Sequence, residues 1–124
     1  MQAVVDTTSG LATSDTTFLL PKFVRKSVAA SQTDSSIVAA VTSKKIRVVA
    51  GIISAGDTAG SALTFESDDA VTDTVLMKFQ PAANQTIVLP YNPLGYFETD
   101  AGEALILTTG AGSTTEMSFV YVEV

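Results

Sequence analysis

The chain of 124 residues has no cysteine, no histidine and no tryptophan. Lacking cysteine, it can form no disulfide, thiolate nucleophile or Cys-ligated zinc site; synthesis in a reducing compartment is compatible with that but not required. Lacking histidine, it has neither the usual general base of neutral pH nor the commonest metal ligand, and Ser-His-Asp and Cys-His nucleophile schemes are excluded with it. Long apolar runs are missing too. None approaches the roughly 18 residues that a membrane span needs, and no basic segment leads into an apolar run near the N-terminus as in a signal peptide. The expectation is a soluble chain with no membrane partner, not exported by that route.

Positive charge is also scarce. Seven Lys and Arg stand against thirteen Asp and Glu, for a formal charge of −6, which argues against a general affinity for nucleic acid. The few cations are clustered: Lys22, Arg25, Lys26, Lys44, Lys45 and Arg47 face only Asp34 between residues 22 and 47, whereas Lys78 is the single cation from residue 48 onward. Such polarity is either an ordinary solvated surface or the complement of an acidic partner, a neighbouring copy included.

What is present falls into zones. Residues 1–32 are rich in Thr, Ser, Asp and Ala, with apolar islands at Val4-Val5 and Phe18-Leu19-Leu20 and no sustained period. Pro21 biases Leu20 toward an extended conformation. This zone reads as an extended N-terminal arm laid along a surface, with Phe18, Leu19, Leu20 and Phe23 as apolar anchors and Lys22, Arg25 and Lys26 as its charged contacts.

Residues 33–124 read as one all-β domain. Short runs rich in Val, Ile, Thr and Phe alternate with Gly, Asp, Asn, Ser and Pro, the signal of strands and tight connections. Eight strands are predicted, over residues 36–42, 46–54, 62–66, 74–79, 86–89, 96–99, 104–109 and 115–122. Leu63 and Phe65 alternate with Thr64 and Glu66, and Met117, Phe119 and Tyr121 alternate with Glu116 and Ser118, so these strands have one buried side. Residues 46–53 and 104–107 are apolar on both sides, which suits strands covered twice, by a larger core or by another subunit. Asn92-Pro93-Leu94-Gly95 has the composition of a type I turn. Eight short strands at this spacing predict a single antiparallel β-sandwich, of which a jelly roll is the leading case.

Candidates for chemistry are few. Glu66, Asp68, Asp69 and Asp73 form the densest acidic group, but they lack the alternating spacing and glycine of a calcium loop and read as a solvated connection. Glu98, Asp100 and Glu103 could in principle serve glycoside hydrolysis. With no tryptophan platform nearby, the turn reading of Asp100-Ala101-Gly102 is preferred. No Gly-rich stretch is followed by the Lys-Ser/Thr of a phosphate loop. No enzyme activity, cofactor or metal is expected.

The series Lys45-Ile46-Arg47-Val48, Leu63-Thr64-Phe65, Ile87 to Thr99, Gly102-Glu103-Ala104-Leu105 and Val120 to Val124 resembles the small jelly-roll capsid decoration, or cement, proteins of tailed bacteriophages. The block Leu89-Pro90-Tyr91-Asn92-Pro93-Leu94-Gly95-Tyr96-Phe97-Glu98-Thr99 is its most specific part, with Tyr96 where that family often has Trp. The resemblance covers residues 33–124 and leaves residues 1–32 outside. It implies a structural virion protein, a homotrimer on the capsid exterior that clamps major capsid subunits. Related jelly rolls in head fibres and tails supply the alternative, a receptor- or glycan-binding module using loop residues such as Asp68, Asp69, Asn84 and Tyr91.

Overall fold

A computed structural model describes residues 20–124. Nine strands form among the described residues: β1 (Lys22–Val28), β2 (Ser35–Val38), β3 (Ile46–Ala55), β4 (Leu63–Ser67), β5 (Thr74–Phe79), β6 (Thr86–Leu89), β7 (Phe97–Glu98), β8 (Leu105–Thr109) and β9 (Thr115–Glu123). There is no helix among them, and so none long and apolar enough to cross a membrane.

The strands make two antiparallel sheets. One has the order β1-β9-β3-β6, with β7 also pairing β3; the other has the order β2-β8-β4-β5. Pairing is nested along the chain, β4 with β5, β3 with β6, β2 with β8 and β1 with β9. All eight predicted strands are present. The ninth, β1, is a difference from the sequence reading: residues 22–28, assigned to an arm, pair along their whole length with β9, from Lys22 opposite Tyr121 to Val28 opposite Thr115. Val28 is buried and Val24 packs against the core, and that apolar pair places the segment in the sheet. Of the arm anchors, Phe18 and Leu19 lie outside the described residues.

The two sheets share one core. Ile46, Val48, Ile53, Met117 and Phe119 from the first meet Leu63, Phe65, Leu105 and Leu107 from the second. Phe65 lies at its centre, stacked on Phe97 with ring centroids 5.2 Å apart and edge-on to Phe119 at 5.5 Å and Phe79 at 5.9 Å. Each such ring pair adds about 0.5–1.5 kcal/mol beyond the area it buries, so these four rings tie β4, β5, β7 and β9 together.

One irregularity positions the outer surface. The register of β3 against β9 shifts between Val48 and Ala50, which leaves Val49 as a bulge residue and changes which side chains point outward. The loop between β6 and β7 docks there, with Asn92 N–H donating to Val49 O and Tyr96 N–H to Val48 O, both at 2.8 Å.

Candidate functional site

The outer face of the first sheet is built from residues far apart in sequence. Register places three rows across it: Phe23, Val120 and Ala50; then Arg25, Ser118, Ile52 and Val88; then Ser27, Glu116, Ser54 and Thr86. A solvated sheet face ordinarily carries polar side chains. Here only the third row is polar throughout, with Ser27 Oγ donating to Glu116 Oε2 at 2.6 Å and the Ser54 and Thr86 hydroxyls 3.2 Å apart; the second mixes Arg25 and Ser118 with Ile52 and Val88, and the first is apolar.

The first two rows form a trough of about 600 Å³. Small Ala50, Gly51 and Ser118 line its floor, and Phe23, Ile52 and Val88 stand around it, exposed by 80, 49 and 61%. Such exposure decides the character of the site: these side chains are presented to solvent rather than folded into the core. Gly51 keeps its place because a Cβ there would lie 2.3 Å from Phe119 Cδ1. The ring of Phe119 therefore lies directly against the backbone of β3.

Three of the six cations between residues 22 and 47 are neutralised within the chain. Arg47 Nε donates to Glu98 Oε1 at 2.8 Å, Lys45 Nζ lies 3.4 Å from Glu98 Oε2, and Lys22 Nζ lies 3.0 Å from Glu123. The bond from Arg47, reinforced by its charge and by Lys45, holds the Glu98 carboxyl below its ordinary pKa. Half of the basic segment is thus paired inside the chain. Arg25, Lys26 and Lys44 have no carboxylate within 4.0 Å among the described residues.

The residues singled out from the sequence divide accordingly. Phe23 and Arg25 line the trough; Leu20 is exposed just before β1; Lys22 is engaged with Glu123; Lys26 lies on the opposite side of β1, opposite Met117. Ile52 belongs to the run 46–53 that is apolar on both sides, whereas the contributions of Val88 and Val120 were not foreseen. Their signal is an apolar residue on the outward phase of a strand.

A second exposed apolar feature is the β6–β7 turn. Gly95 N–H donates to Asn92 O at 2.9 Å and Leu94 N–H to Asn92 Oδ1 at 3.0 Å, while Gly95 takes φ +83°. Tyr96 Oη donates to Pro90 O. The turn holds Tyr91 and Leu94 out in solvent.

The acidic groups are distributed differently from their sequence clusters. Glu66 and Asp73 are joined by Asp34, their oxygens all within 4.8 Å of one another, an oxygen-only set of the kind a hard cation such as calcium takes. Thr108 Oγ1 lies 3.0 Å from Glu66 and 3.4 Å from Asp34. Asp69 instead closes its own turn, accepting from Val71 N–H at 2.7 Å and Thr72 N–H at 3.2 Å; those two bonds lower its pKa. Glu98 is bound to Arg47, whereas Glu103 accepts from Ser67 Oγ, so each carboxylate of the hydrolytic alternative already has its own partner. Asp68 and Asp69 precede β5 and Asn84 follows it, a separation of roughly 20 Å at strand rise.

No protein-family model, curated protein or solved structure matches the chain.

Proposed function

We propose that the chain is a structural virion protein, a jelly-roll decoration or cement protein that binds the exterior of a tailed-phage head as a homotrimer and stabilises contacts between major capsid subunits. The observation that carries this reading is the apolar trough on the outer face of the first sheet. A contiguous exposed apolar surface marks a site of interaction, and Phe23, Ile52 and Val88 offer contact area without an accompanying set of catalytic groups.

The jelly-roll assignment is supported by the nested pairing, in which a ribbon of paired strands is divided between two sheets, an architecture that recurs in viral capsid proteins. The decoration role is supported by the resemblance of the block from Leu89 to Thr99, whose turn presents Tyr91 and Leu94. Binding only to the assembled shell stabilises that shell by mass action, and several copies linked in one oligomer gain avidity from weak individual contacts. The glycan-binding alternative would draw on Asp68 and Asp69 at one end of β5, Asn84 at the other, and Tyr91 after β6.

Cosedimentation of the purified full-length protein with expanded, undecorated heads tests the proposal. Saturable binding with a fixed number of copies per head is expected. Heads that pellet without the protein, at concentrations where the protein remains folded, would contradict it.

A further inference from the structure

We infer that the occupant of the trough is a second copy of this chain, docked so that Arg25 of one copy meets Glu116 of the next. The inference rests on the adhesive reading above and names the partner at that surface.

Charge complementarity carries the argument. The chain as a whole is acidic, with a formal charge of −6, so two copies repel through most of their surfaces. The trough face is the exception. Arg47 and Glu98 cancel at one end, and the remaining charges in its three rows are one cation, Arg25, and one anion, Glu116. A partner of strong single-sign charge would be matched by an excess of the opposite sign; a balanced face is matched by itself.

The two charges are also placed for an intermolecular pair. Arg25 has no carboxylate within 4.0 Å among the described residues. Glu116 is oriented by Ser27 Oγ on one oxygen, Oε2, which leaves Oε1 to accept from a guanidinium. Arg25, Glu116 and Ile52 line one depression directly beside the trough. Packing these faces around one axis, the Arg25 side of each copy on the Glu116 side of the next, covers Phe23, Ile52 and Val88 while each cation finds an anion, and a contact of this kind sets register as well as affinity.

Sedimentation velocity of the full-length chain over a broad concentration range tests this, with thermal melts confirming that each variant folds. Reversible self-association is expected. Val88→Asp should abolish it, and Arg25→Glu and Glu116→Arg should each weaken it by about tenfold or more, the equivalent of about 1.4 kcal/mol. The double variant Arg25→Glu/Glu116→Arg should recover most of that loss. A chain that stays monomeric, or association indifferent to Val88→Asp, or a double variant no better than either single one, would overturn the inference. The same variants assayed on heads separate the two readings. A monomer that binds heads, and loses that binding with Val88→Asp, puts a capsid subunit in the trough and overturns self-docking and the homotrimer while leaving head binding in place. Self-association that behaves as expected without any head binding supports the inference and contradicts the virion role.

Discussion

Replacing Gly51 by alanine probes the packing that underlies the trough. Gly51 lies opposite Phe119 on one side and Leu89 on the other, so its missing side chain points to the core. An added Cβ would sit 2.3 Å from Phe119 Cδ1, 2.9 Å from Cε1 and 2.9 Å from Ser118 O, against an ordinary carbon contact of about 3.5–4.0 Å. The ring would have to retreat by more than about 1 Å to reach that contact distance. It has little room, because Phe119 is fully buried with Phe65 at 5.5 Å and Phe97 at 6.3 Å. Overpacking of this kind costs about 1–3 kcal/mol, offset by about 0.4–1 kcal/mol from the stiffer unfolded chain. A net loss of about 1–2 kcal/mol follows, or roughly 5–10 °C in Tm for a domain of this size. Urea unfolding followed by circular dichroism should show a lower midpoint with an unchanged slope. In a Phe119→Leu background the same substitution should cost distinctly less, a coupling that a double-mutant cycle measures. Equal or greater stability of Gly51→Ala in the wild-type background, or an identical cost in both backgrounds, would refute this account of the β3 register.

Two further outcomes are expected. The folded Glu98 carboxyl titrates below its unfolded value because of Arg47, so its contribution is present above about pH 4.3 and disappears as pH falls through the lower, folded value. Glu98→Gln should therefore be less stable than wild type at pH 7 by under about 1 kcal/mol, since the pair is partly solvated. The gap should close on acidification; chemical unfolding at a series of pH values measures it, and a gap that widens toward low pH would contradict the pairing. Truncation gives the other test: a chain starting at residue 33 loses β1 and the buried Val28, at a cost of several kcal/mol out of the roughly 5–15 that hold a domain together. That chain should melt far below one starting at Leu20, and equal melting temperatures would show that β1 is dispensable.

Much of the β framework was legible in the sequence because the strands carry strong local signals. Leu63 and Phe65, or Met117 and Phe119, declare the buried side through period-two alternation, and Asn92 to Gly95 declares its turn through proline and glycine. The strand β1, at the edge of its sheet among the described residues, was not legible, for a physical reason. An edge is protected from unwanted pairing by charge, and Lys22, Arg25 and Lys26 make Lys22–Val28 look like a solvated arm while Val24 and Val28 hold it in the sheet. The trough was legible only through Phe23, Arg25 and the run 46–53, apolar on both sides. Its other walls come from β6 and β9, and no local pattern announces which strands the topology will bring side by side. The same holds for Asp34, which joins Glu66 and Asp73 across a long stretch of chain.

Electron microscopy of intact virions with labelled protein tests most directly the proposal that this β protein adheres to the outside of a phage head. The account predicts label distributed over the head exterior at regular positions between capsid subunits. Label confined to the tail or fibres, or absent from the particles, would contradict it.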